Sequence, residues 1–178
     1  MTGKHLWGKG YLQVYTGDGK GKTTAAMGLA LRCTGAGGRV FIGQFVKGMH
    51  YAELDALARL ADGIAIRQFG RDCFIVRDPE PEDIRLAREG LDECRRALES
   101  GEYDLVILDE ASIAVYYQLF SATELLEAIA ARQPHVEVVV TGRRAPPELV
   151  ERADLVTEMK EVKHYYTGGV VAREGIEK

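Results

Sequence analysis

Residues 15–25 read Y-T-G-D-G-K-G-K-T-T-A, and the rest of the chain can be placed from the way that stretch must sit. An apolar run containing Leu12 and Val14 precedes it, and Ala25, Ala26, Met27, Leu29, Ala30 and Leu31 follow it. A glycine-rich turn between a buried strand and a helix gathers several backbone N–H groups around one point. That point also faces the positive end of the helix dipole, which makes it an anion site. Lys22 adds a compact positive charge for phosphate oxygens, and Thr23 supplies a hydroxyl for a divalent metal. The stretch reads as a phosphate-binding P-loop. Its spacing is irregular: three residues separate Gly17 from Gly21, one fewer than in G-x-x-x-x-G-K-[ST], so Thr16 stands where the first glycine would be.

Composition narrows the class. The 178 residues suit one domain with a full core, and 46% apolar with 28% charged residues is ordinary for a globular chain. A net charge of -4 offers no basic footprint, so nucleic acid is not an expected partner. Cys33, Cys73 and Cys94 form no C-x-x-C pair, which argues against a zinc site or a disulfide framework. The opening M-T-G-K-H-L-W-G-K-G lacks the apolar core of a signal peptide, and no apolar run is long enough to span a bilayer. The expectation is a cytoplasmic protein with no membrane association.

Outward from the loop, strands alternate with helices. Residues 1–9 read as a short arm whose Leu6 and Trp7 could dock, including on a second subunit, and residues 10–178 as one domain. Strands are expected over residues 11–15, 39–45, 64–69, 103–110, 136–140 and 155–158, with helices over 23–34, 51–60, 111–120, 123–132 and 148–152. Asp78 followed by Pro79 reads as the cap of a further helix, which carries Ile84, Ala87, Leu91, Cys94 and Leu98 on one stripe. Cys94 is therefore expected in the core. The alternation implies an α/β fold of the P-loop NTPase-like kind, a mostly parallel central sheet with helices on both faces.

Chemistry collects at the strand tips. Y-D-L-V-I-L-D-E over residues 103–110 is a buried strand ending in two carboxylates, where a metal–nucleotide site needs acids. Lys47, just beyond the second strand, lies on the face where open α/β sheets bind ligands. Arg143 follows V-V-V-T-G and could clamp phosphates. Lys163 and His164, in V-K-H-Y-Y, are further possible ligand groups. The residues thus give a magnesium–nucleoside triphosphate site made of Lys22, Thr23, Asp109 and Glu110, and leave three reactions open. One is an ATPase in which Glu110 orients water; another is a kinase with a second pocket for its acceptor. The third attacks the nucleotide elsewhere and needs only a neutralised triphosphate leaving group. A regulator that binds nucleotide with little turnover is a fourth reading.

The ordered set T-G-D-G-K-G-K-T-T-A-A, G-Q-F-V-K-G, V-I-L-D-E, V-V-V-T-G-R, V-K-H-Y and G-I-E resembles the P-loop-type ATP:corrinoid adenosyltransferases from about Tyr11 to the C-terminus. The short loop belongs to that family too. The resemblance implies transfer of the 5′-deoxyadenosyl group of ATP to Co(I) of a reduced corrinoid such as cob(I)alamin, with release of triphosphate, as in adenosylcobalamin formation. It implies that Thr16, Gly17, Asp18, Gly19, Lys20, Gly21, Lys22, Thr23 and Thr24 wrap the phosphates, with Lys47 and Arg143 nearby. Lys22 and Glu110 are the catalytic candidates, and Thr23, Glu110 and Asp109 the candidates for holding Mg²⁺. Phe69 and Phe74 are the candidates for an apolar wall against the corrin. A reductase or flavoprotein as electron donor and a homodimer are implied as well. Asp18 stands where family members commonly carry asparagine, and Ala111-Ser112-Ile113 where a larger residue and asparagine or threonine are common.

Overall fold

The computed structural model describes residues 5–59, 62–71 and 78–177. Six strands form one sheet: β1 (Leu12–Thr16), β2 (Val40–Phe45), β3 (Ile64–Phe69), β4 (Leu105–Asp109), β5 (Glu137–Thr141) and β6 (Leu155–Glu158). Their order is β3-β2-β4-β5-β1-β6, with every pairing parallel. Among the described residues six α-helices cover the sheet: α1 (Lys22–Gly35), α2 (Ala52–Ala58), α3 (Pro81–Ser100), α4 (Ala111–Tyr116), α5 (Ala122–Ala130) and α6 (Pro147–Arg152).

Period-two alternation sorts the strand residues between two cores. Val40, Ile42, Leu105, Ile107 and Val139 point to the face closed by Ala26, Ala30 and Cys33 of α1 and Leu57 of α2. Phe41, Phe45, Val106, Leu108, Val138 and Val140 point the other way, against α3, α4, α5 and Leu149 of α6. All of β2 and β4 is buried, which is why they read as nearly continuous apolar runs. The expected stripe on α3 packs inward, with Ala87, Cys94 and Leu98 at 0% exposure. Two glycines let α3 approach the sheet. A Cβ on Gly43 would lie 2.5 Å from Cys94 Sγ, and one on Gly90 would lie 2.4 Å from the Phe69 ring.

Two helix starts are set by capping boxes. The cap of α3 is Glu80, with Pro81 as the first helical residue, not Asp78 and Pro79. Asp83 decides this, because its carboxylate accepts from the Glu80 N–H at 2.9 Å and completes a capping box. Likewise α5 starts at Ala122, behind Ser121, whose hydroxyl accepts from Glu124 N–H at 3.1 Å while the Glu124 carboxylate accepts from Ser121 N–H at 2.7 Å. The helix after β4 is also shorter than expected and stops at Tyr116. Gln118 then turns left-handed, and buried Leu119 and Phe120 drop into the core.

The described part of the N-terminal arm lies on its own chain. Trp7 Nε1 donates to the His135 carbonyl at 2.7 Å, Leu6 N–H donates to Asp104 Oδ1 at 3.2 Å, and the His5 ring stacks on His135 at 3.4 Å. These anchors sit at the N-terminal ends of β4 and β5, opposite the P-loop. No helix among the described residues is long and apolar enough to cross a membrane.

Candidate active site

β1 ends at Thr16 and α1 begins at Lys22, and the intervening turn needs glycine. Gly17 (φ 94°) and Gly21 (φ 117°) are left-handed, a conformation that costs a residue with a Cβ. Gly21 is also the N-cap of α1, so the first free N–H groups of the helix face the loop. The loop leans on the chain after β6. Gly19 N–H donates to the Met159 carbonyl at 2.7 Å, and Met159 N–H to the Thr16 carbonyl at 2.8 Å. A Cβ on Gly17 or Gly19 would lie 2.4 or 2.7 Å from that Met159 oxygen. The short spacing of the loop is thus matched to a backbone support on its outer side.

Inside the loop, the buried Lys22 donates from Nζ to the carbonyls of Gly17 and Gly19, both at 2.7 Å. Burial lowers its pKa, and Arg143 adds to this, while the carboxylates of Glu110, Asp18 and Asp109 work against it. Asp18 is exposed, so its charge reaches Lys22 without occupying the cradle.

β4 carries its carboxylates to the same end of the sheet, two strands from β1. Asp109, at 0% exposure, has both oxygens engaged. Thr23 Oγ1 (2.9 Å) and Thr141 Oγ1 (2.7 Å) donate to Oδ1; Lys47 Nζ (2.8 Å) and Gln44 Nε2 (3.1 Å) donate to Oδ2. Burial alone would raise the Asp109 pKa, but the Lys47 ammonium and the hydroxyl donors outweigh it and hold the carboxyl below its ordinary value. The same pairing raises Lys47 against its burial. Glu110 is placed differently. It takes a left-handed backbone (φ 60°), its N–H donates to Thr141 Oγ1 at 2.9 Å, and burial with the adjacent Asp109 charge pushes its carboxyl up.

Lys22, Thr23, Lys47, Asp109 and Glu110 are therefore brought together. Other expected site residues are placed elsewhere. Arg143 is exposed at the tip of β5, its charge felt at Lys22 and Glu110, whereas Arg144 stacks on the Tyr116 ring at 4.2 Å. Thr24 is exposed on the first turn of α1, and Thr16 Oγ1 accepts from Ala145 N–H at 3.2 Å. Lys20 turns away from the cradle to the C-terminal segment, donating to the Ile176 carbonyl at 2.7 Å beside Glu177. Phe69 does not face a surface: at 8% exposure its ring packs on Phe45, because β3 points this residue into the core toward α3. Phe74 and Cys73 lie outside the described residues. Lys163 and His164 line a cavity of about 340 Å³ with Gly19, Lys20, Lys160 and Tyr165, while His164 Nδ1 accepts from Tyr166 N–H at 3.1 Å.

The sequence profile described as ATP:corrinoid adenosyltransferase BtuR/CobO/CobP matches residues 8–177, nearly the whole of this loop-and-sheet arrangement. The chain belongs to that family. Corrinoid adenosyltransferases of Pseudomonas aeruginosa and Escherichia coli strain K12 are each 34% identical to it over 170 residues. The match covers 95% of this chain and 84% and 86% of those proteins. One from Sinorhizobium is 32% identical over 172 residues, covering 95% of this chain and 80% of the relative.

Two members of the cluster escaped the reading of the residues, Gln44 and Thr141. Each had a signal in the sequence: a polar side chain inside an otherwise apolar run, V-F-I-G-Q-F and V-V-V-T, which a buried strand tolerates only with a partner. The support from Met159 left no comparable trace.

Proposed function

We propose that this chain transfers the 5′-deoxyadenosyl group of ATP to the Co(I) centre of a reduced corrinoid and releases triphosphate. The observation that carries the reading is the meeting of Lys22 and Thr23 with Asp109 and Lys47 at the carboxyl ends of the central strands, in a chain of this family. Co(I) is itself a strong nucleophile, so the protein needs no general base. Its part is to align C5′ with cobalt and to hold the charge of the departing triphosphate.

The side chains fit those tasks. Lys22 exchanges its bonds to the Gly17 and Gly19 carbonyls for phosphate oxygens, while the N–H groups of Gly21 and the first turn of α1 line the anion. Lys47 and Arg143 supply further positive charge. Among the described residues no group of three or more His, Cys, Asp or Glu side chains is arranged to hold a metal ion. That is compatible with Mg²⁺, which is commonly held by one or two carboxylates together with substrate phosphates. Here Thr23 and Glu110 would hold it, and it would supply charge neutralisation for the triphosphate. Asp109, saturated by four donors, orients the Thr23 hydroxyl. A homodimer fits the exposure of edge strand β6, whose Leu155 (45%) and Val156 (42%) are left uncovered where parallel strands are ordinarily covered on both faces. A reductase or flavoprotein supplies the electron that makes Co(I).

Product identity tests the reading. Anaerobic reaction with ATP, Mg²⁺ and cob(I)alamin is expected to yield a light-sensitive alkylcorrinoid. ADP with an unchanged corrinoid spectrum would assign the scaffold to an ATPase or nucleotide kinase instead.

A further inference from the structure

Lys47 occupies a position that its place in a strand-end loop does not by itself explain. Its Nζ lies 2.8 Å from Asp109 Oδ2 and 3.4 Å from Thr23 Oγ1, at the junction of the carboxylate and the hydroxyl. A frame holds it there. Val46 before it is left-handed (φ 57°), turning the chain back over the end of β2. The loop is pressed onto the end of β3: a Cβ on Gly48 would lie 2.4 Å from the Gly70 carbonyl oxygen, and one on Gly70 would lie 2.5 Å from Lys47 N. Gln68 Nε2 bridges the Met49 carbonyl (3.0 Å) to Gln44 Oε1 (3.2 Å), and Gln44 in turn bonds Asp109. The Tyr51 ring lies 5.3 Å from the ammonium. This is a built position for one positive charge beside a fully buried carboxylate.

We propose that Lys47 is a tethered counter-ion that makes divalent-metal binding conditional on the nucleotide. The inference rests on the reading that Thr23 and Glu110 hold Mg²⁺ with a triphosphate. Without nucleotide, the ammonium already neutralises Asp109, and a divalent ion entering beside it meets like charge at close range. An arriving triphosphate brings enough negative charge for both cations to stay. Lys47 would then turn to phosphate oxygens, and the Thr23 hydroxyl and the Glu110 carboxylate would hold the metal. The role is one of positioning: Lys47 sets the order in which ligands assemble, so that metal and ATP enter together.

Mn²⁺ in place of Mg²⁺ makes this measurable without corrinoid or turnover, by equilibrium dialysis of Mn²⁺ with the full chain against the same buffer and nucleotide, so that Mn²⁺ bound by ATP alone is equal on both sides. The wild type is expected to bind Mn²⁺ with ATP and not at millimolar Mn²⁺ alone. Lys47→Met should acquire nucleotide-independent binding at least tenfold tighter than the wild type, and the added change Asp109→Asn should remove it. Equal Mn²⁺ affinity of wild type and Lys47→Met without ATP would overturn the proposal, as would a folded Lys47→Met that binds none. The wild-type arm stands even where the variant does not fold: a Mn²⁺-dependent rise in its melting temperature without nucleotide contradicts the proposal directly. Failure of the wild type to bind Mn²⁺ with ATP would remove the metal reading and this inference with it, leaving adenosyl transfer to be judged by its own products.

Discussion

At the scale of single residues, the proposed reaction gives Lys22 and Glu110 the handling of charge. Lys22→Ala and Glu110→Ala should each slow adenosyl transfer at least tenfold, a loss of about 1.4 kcal/mol in the barrier; single-turnover kinetics on folded variants check this, and wild-type rates in both would contradict the assignment. The two adjacent carboxylates should also affect stability in opposite directions. Asp109 has a depressed pKa, so its contribution is present above the unfolded carboxyl value of about 4 and is lost as pH falls through the lower folded value. Glu110 has a raised pKa, so its ionised form costs stability as pH rises through that value. At neutral pH and without nucleotide, Glu110→Gln is therefore expected to stabilise the protein, on the order of 1 kcal/mol. Asp109→Asn should destabilise it by about 3 kcal/mol, because the largely buried Lys47 loses its counter-charge. Urea titrations at pH 7 measure both. Stabilisation by Asp109→Asn would contradict the account.

At the scale of elements, the close approach of α3 to β2 rests on small side chains. Cys94→Ala should cost about 1–2 kcal/mol in stability and leave transfer rates unchanged. Gly43→Ala should cost about 1–3 kcal/mol, since its Cβ would meet Cys94 Sγ at 2.5 Å. Denaturant midpoints alongside activity check both, and selective loss of transfer in stable Cys94→Ala would show that this face does more than pack. Buried strands and the α3 stripe were legible because period and apolarity are local properties of the chain. The start of α3 was not. Asp78-Pro79 and Glu80-Pro81 present the same acid–proline signal two residues apart, and only the carboxylate of Asp83 chooses between them. Lys20, which the resemblance implies for the phosphates, donates to Ile176 from the far end of the chain, a contact no local pattern carries.

At the scale of the whole molecule, the site exists because the parallel order β3-β2-β4-β5-β1-β6 brings residues from four separate strands to one carboxyl end of the sheet. Each contributor could be read as chemistry: a loop lysine, a pair of acids, a lysine after a strand. Their mutual geometry could not, since Thr23, Gln44, Lys47 and Thr141 converge on Asp109 only through the sheet register. The family's motifs supplied the reaction, which strand tips and a P-loop leave open. The apolar wall for a corrin is the part least visible in the residues. Phe69, chosen for its aromatic character, turned out to be a core residue whose side was set by strand alternation. The proposed reaction consumes ATP by attack at C5′, with triphosphate as the leaving group. The most direct test is the ratio of triphosphate to alkylcorrinoid formed under anaerobic conditions with excess cob(I)alamin, ATP and Mg²⁺. The two are expected to rise together in equal amounts, with no ADP; ADP and phosphate accumulating without any cobalt–carbon product would contradict attack at C5′.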